Sequence, residues 1–181
     1  MSINKFLNQY RIESARAKWH DYDGGSYFVT ICTQGREWYF GKIQNGEMIL
    51  SQLGLVAEDC LQKIHSHFPN VEVPLSVVMP NHIHAIIVID NHVETQNFAS
   101  LQQQKCKPRF GPQSKNLASV VRGFKIGVTK YARQNNIPFD WQSRYHDHII
   151  RDQMEMNRIA DYILNNVSKW EMDCFWNDKE M

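Results

Sequence analysis

Two histidines one residue apart, His82 and His84, stand in the stretch MPNHIHAIIVID at residues 79–90. On a β-strand, residues i and i+2 point to the same face. Both imidazoles would therefore project together. Ile83, Ala85, Ile87 and Ile89 would form the opposite, wholly apolar face, which must enter a core. Sheet hydrogen bonds would hold the pair rigidly, as neutral nitrogen ligands of a metal ion need. Two ligands hold a metal poorly, so this chemistry requires a third donor. Two histidines satisfied by hydrogen bonds on a partly exposed face would give the same spacing.

A third donor is offered near the C-terminus. In MNRIADYILNNVSKW (156–170), Met156, Ile159, Ala160, Ile163, Leu164 and Val167 follow helical spacing and predict a buried stripe. Tyr162 and Asn166 lie outside it, four residues apart, so they are neighbours at its edge. From there a phenol and an amide carbonyl can reach a cleft between helix and sheet. The carbonyl can complete a His-His-Asn site. Ordinary boundary residues of an amphipathic helix would show the same periodicity.

The elements that must position these groups follow from pattern. SYFVTICT (26–33) reads as a strand, and EWYFGKIQNGEMILS (37–51) as a hairpin turning at Asn45-Gly46. A helix is predicted from about Leu53 to Phe68. VEVPLSVVM (71–79) is a core strand in which Pro74 points to an edge or a bulge. The histidine strand returns from the turn Met79-Pro80-Asn81. Residues 91–116, with a Gln run and no period, read as a long mobile loop. A helix over 117–134 follows, then the strand SRYHDHIIR (143–151) and a last helix over about 153–169. Without the first hairpin the order is β-α-β-β-α-β plus a helix. That predicts an α+β fold with a ferredoxin-like antiparallel sheet and packed helices. An open sheet of this kind is a common platform for nucleic acid, although fold alone does not set function.

With 181 residues and 43% hydrophobic content, the chain suits one domain over 1–181 with its core at about 26–170. The cysteines, Cys32, Cys60, Cys106 and Cys174, form no CxxC pair and read as ordinary thiols. No apolar leader opens the chain, and the run AIIVI is far too short to span a bilayer, so the cytoplasm is the expected compartment. Net charge is only +1, yet Lys105, Lys107, Arg109, Lys115, Arg122, Lys125, Lys130 and Arg133 occupy a stretch without an acidic residue. On the 117–134 helix, Arg122, Lys125, Lys130 and Arg133 fall opposite the apolar stripe. Such a concentrated field points to a polyanion, nucleic acid first; a solvated basic helix is the plainer account. Trp38, Tyr39 and Trp141 could stack on bases or belong to the core.

Taken in order, the YFVT strand, VVMPNHIH, SVVRGFK, WQSRYHDHIIRD and DYILNN…KW resemble the single-tyrosine HUH transposases, closest to the REP-associated tyrosine transposases. The resemblance runs from about Tyr27 to Trp170. It implies that His82 and His84 bind the metal, that Tyr162 is the nucleophile on a C-terminal catalytic helix, and that Asn166 is the third ligand. Relatives often carry Pro after that asparagine, whereas this chain has Val167, which would let the helix continue. The resemblance also implies folded single-stranded or hairpin DNA as the partner, bound by the basic helix face and by Lys105, Lys107 and Arg109. Either a monomer or a homodimer is compatible with it.

The implied chemistry has a physical logic. A phosphodiester repels nucleophiles, and a cation held by neutral ligands keeps its charge to offset this; Mg²⁺ or Mn²⁺ would serve. Tyrosine, with an ordinary pKa of about 10, leaves more readily than a sugar alkoxide. A 5′-phosphotyrosine therefore conserves bond energy for resealing, and no glycine motif for ATP is present. Two rivals remain: a hairpin-binding module without turnover, and a metal-dependent phosphodiesterase that uses water. Among the other tyrosines, Tyr145 would border the site most closely.

Overall fold

A computed structural model describes residues 24–90 and 116–176. Its elements are β1 (Gly25–Cys32), the hairpin β2 (Gly41–Gln44) and β3 (Glu47–Leu50), α1 (Gln52–Gln62), the one-turn α2 (Ile64–His67), β4 (Val71–Val78), β5 (His82–Ile89), α3 (Leu117–Gln134), β6 (His146–Ile150) and α4 (Gln153–Leu164). A 3-10 turn, Val167–Met172, follows α4. The main sheet has the order β4-β5-β1-β6, and every neighbouring pair is antiparallel. With the hairpin set aside, this is the ferredoxin-like arrangement predicted from the element order.

Local chemistry explains the boundaries. Ser51 caps α1 by accepting a hydrogen bond from Gly54 N. Asn116 and Ser119 cap α3 reciprocally, and Asp152 caps α4 through Glu155 N. Asn45 and Gly46 take positive φ angles of 54° and 78°, which turns the β2–β3 hairpin. The register between β4 and β5 shifts between Glu72 and Leu75, on either side of Pro74. Proline cannot donate to the ladder, and β4 is an edge strand, so the bulge lies where sequence placed it.

Both faces of the sheet are covered. Tyr27, Val29, Ile31, Ile83, Ala85 and Ile87 pack on one face with Leu61 of α1 and Val120, Phe124 and Val128 of α3. On the other face Ile86 and Ile150 meet Ile159 and Ile163 of α4. The expected open platform is therefore roofed by α4 on the histidine side. The last helix is also shorter than predicted. It ends at Leu164, with Asn165 as its C-cap, and Val167 opens the 3-10 turn instead of continuing the helix. Leu164, assigned by periodicity to the buried stripe, is 67% exposed. Among the described residues, no helix is long and apolar enough to cross a membrane. The 91–116 stretch lies outside the described residues except for Asn116.

Candidate active site

His82 and His84 begin β5 and project toward α4 and the turn after it. They are 0% and 1% exposed, so the partly exposed face is not observed. Their Nε2 atoms converge to 3.0 Å. Each Nδ1 is held from behind: His82 by Asn81 Oδ1 at 2.8 Å, and His84 by Thr30 Oγ1 at 2.9 Å. Thr30 is opposite His84 on β1, which makes that contact a product of sheet register. Burial pushes both imidazoles down, His82 well below 6.5 and His84 to about 4. For His82 the other imidazole and Arg36 add to this; for His84 the Asp173 carboxylate opposes it. Both are neutral at pH 7 and so able to offer a nitrogen lone pair.

The end of α4 and the turn after it bring the remaining groups. Tyr162 Oη is 3.2 Å from His84 Nε2 and donates to Asp173 Oδ2 at 3.3 Å. Asn166 is buried, and its Nδ2 donates to the same Asp173 oxygen at 3.1 Å. That leaves Asn166 Oδ1 buried without a hydrogen-bond partner. An orphaned carbonyl is costly unless something electropositive meets it. Neutral imidazole nitrogens and an amide oxygen are donor types that suit a divalent cation. Donor atoms of His82, His84 and Asp173 also lie within 4.8 Å of one another, which adds a carboxylate to the set. Asp173 was not foreseen. It lies beyond the helical periodicity, and no spacing rule links it to residues about ninety positions earlier.

Phe175 packs tilted over His82 with ring centroids 4.4 Å apart, and Trp170 lies 5.9 Å from the same ring. Phe28 stacks on His84 at 5.2 Å. Tyr162 is 43% exposed, so one side of the site is open. Burial first, then the Asp173 carboxylate, push its phenol up to about 12.

The other expected residues separate by location. Arg122, Lys130 and Arg133 are exposed on α3 and line a groove of about 740 Å³ against Ser143 and Tyr145. Lys125 also lines it, but its ammonium donates to Gln142 O at 2.7 Å and Arg144 O at 3.2 Å. Lys105, Lys107 and Arg109 lie outside the described residues. Trp141 is core, Tyr39 bonds Pro138 O and packs on Phe139, and Trp38 packs on Trp170. Tyr145 packs with the α1/α3 core, on the face opposite the histidines.

Comparison with known proteins places this geometry among relatives. No family model matches the chain. A Haemophilus influenzae protein described only as uncharacterized is 40% identical over 167 residues, 91% of this chain and 93% of its own length. A second Haemophilus influenzae protein, described as a "Putative REP-associated tyrosine transposase", is 28% identical over 81% of this chain and 72% of its own. A solved structure of a REP-associated tyrosine transposase bound to a REP hairpin superposes with a TM-score of 0.58 at 19% identity, covering 87% of this chain and 74% of that one. The chain thus has the fold of a REP-associated tyrosine transposase and is similar in sequence to a protein described as a putative member of that family.

Proposed function

We propose that the protein is a metal-dependent tyrosine transposase that cuts and rejoins single-stranded or hairpin DNA. The observation that carries this reading is the convergence of His82 Nε2 and His84 Nε2 with the Asp173 carboxylate beside the Tyr162 phenol, with the orphaned Asn166 Oδ1 on the same turn. A solved relative bound to a REP hairpin supports hairpin DNA as the substrate class.

In this reading His82, His84 and Asn166 hold the cation, with Asp173 as a further donor. When bound, Mg²⁺ or Mn²⁺ supplies positive charge beside the phenol and the scissile phosphate. Tyr162 Oη attacks phosphorus in line. The bond from phosphorus to the 3′-oxygen breaks, the phenol proton leaves to solvent, and the 3′-oxygen takes one up. A 5′-phosphotyrosine and a free 3′-OH result. In rejoining, a 3′-OH attacks the phosphotyrosine and the phenol recovers a proton. Tyr162 lies in the last turn of α4 and Asn166 just past its C-cap, so nucleophile and ligand stand on adjoining elements. Arg122, Lys130 and Arg133 hold DNA phosphates.

The test is a labelled hairpin incubated with Mn²⁺ and then denatured. Wild-type protein should retain label, and mass spectrometry should map the nucleotide to Tyr162. Tyr162→Phe should fold and bind the hairpin yet retain none. A nucleotide mapped to Tyr145 would overturn the assignment, and cleavage without retained label would favour water as nucleophile. Hairpin binding without turnover is the second reading. It draws on the Asp173 contact and the raised phenol, which hold Tyr162 protonated in the metal-free state.

A further inference from the structure

On the solvent side of the nucleophile lies a cavity of about 150 Å³ lined by Tyr162, Asn165, Asn166, Lys169, Met172 and Asp173. At ~30 Å³ per water it has room for about five, the scale of a phosphate group and not of a base. Its lining holds one cation, Lys169. The backbone fixes that residue: Lys169 N donates to Asn165 O and Asn166 O, both at 3.2 Å. Next to it, Trp170 is buried against His82 and Trp38. The turn is thus pinned against His82, and Lys169 is the exposed cation it presents to the cavity. Among the described residues, its ammonium has no carboxylate partner within ion-pair distance.

We infer that Lys169 contacts a non-bridging oxygen of the scissile phosphodiester and seats it in this cavity for attack by Tyr162. The inference rests on the strand-transfer reading above. A diester entering the cavity meets the Asp173 carboxylate, which repels it. The ammonium three residues after Asn166 offsets that charge, and its position on the same turn as a metal donor fixes where the phosphate stops. Lysine suits the task because its ammonium is a compact charge on a flexible stem, able to follow the phosphate through the reaction.

The experiment measures adduct formation with Mn²⁺ on two hairpins, one natural and one with a neutral methylphosphonate at the scissile linkage. On natural DNA, Lys169→Gln should slow adduct formation by roughly 10- to 100-fold, below the loss typical of a buried oxyanion donor. Lys169→Arg should retain most of the rate. The thermal midpoint and Mn²⁺ affinity should match wild type, which excludes a folding or metal-site cause. Hairpin affinity should change little, because the remaining phosphates are still held. The decisive readout is coupling: methylphosphonate should slow the wild type far more than it slows Lys169→Gln. A full rate for Lys169→Gln, a lowered midpoint, or losses that simply multiply would overturn the inference while leaving the strand-transfer reading in place. A wild-type protein that forms no adduct on natural DNA would remove both.

Discussion

Asn81 decides which nitrogen of His82 faces the site. Its Nδ2 donates to Phe175 O at 2.8 Å and Arg36 O at 3.3 Å, so its Oδ1 must face His82. His82 therefore carries its proton on Nδ1 and offers a lone pair at Nε2. Thr30 is less restrictive, because a hydroxyl can donate or accept. His84 can thus donate from Nε2 to His82 in the metal-free protein, or turn its own lone pair to a cation and donate to Thr30 instead. Both arrangements require neutral rings, and this has a consequence for stability. The folded pKa values lie below the ordinary 6.5, so the unfolded chain binds protons that the folded chain refuses. Stability from this source is complete above pH 6.5 and declines as pH falls toward 4. The slope reaches about 1.4 kcal/mol per pH unit for each histidine. Urea midpoints in chelator should therefore drop between pH 7.5 and pH 5, and the drop should be smaller for His84→Gln. Equal drops in the two proteins would show that His84 does not control the effect.

At the scale of elements, a close contact at the start of α1 sets a prediction that opposes helix propensity. Gly54 lies in the first turn of α1, where an added Cβ would stand 2.1 Å from Phe40 O. In an open helix, Gly→Ala stabilises by about 1 kcal/mol. Here the obstacle is backbone, since Phe40 O also accepts a hydrogen bond from Ser51 N, and it cannot swing away. Gly54→Ala should destabilise by roughly 1–3 kcal/mol in chemical denaturation; a gain in stability would refute the packing. Sequence made this element legible as a helix but not its tight seat. Other elements divide along the same line. The bounds of α3 were readable because its cap and its apolar stripe agree, and β5 because its two faces differ in chemistry. His82, His84, Tyr162 and Asn166 were singled out as candidates because strand and helix periods set them side by side, although α4 stops before Asn166. Asp173 and Phe175 were not, because a 3-10 turn and an irregular tail carry no period. Contacts between such a tail and a distant strand exist only after folding.

Across the whole molecule, the basic groove and the candidate active site occupy opposite faces of the sheet. The α3 helix and Tyr145 cover one face, while His84 and Tyr162 lie on the other. On the proposed function, DNA that uses both would round the sheet, and β6 is the edge strand beside β1. Thr30 pairs with His146 on one side and His84 on the other, so β1 alone separates the histidine strand from that edge. The cations beside that route are not equivalent. Arg122, Lys130 and Arg133 are exposed, and each can replace a condensed counterion on phosphate. Lys125 is half-buried, and burial lowers its pKa, with Cys32 and Asp140 opposing. It also holds the carbonyls of Gln142 and Arg144 and lies 5.4 Å over the Trp141 ring, so it braces the loop that borders the groove. Two variants separate these roles. Replacing Arg122, Lys130 and Arg133 together with Gln should leave the thermal midpoint nearly unchanged. It should also reduce the slope of log affinity against log salt by about 2 to 3, at ~0.7–0.9 for each phosphate no longer neutralised. Lys125→Gln should do the reverse, lowering the midpoint by several degrees while changing the salt slope by less than about 1. The triple variant tests the groove directly. If its salt slope equals that of the wild type, phosphate does not lie along α3, and the proposed hairpin substrate would have to approach Tyr162 from another side.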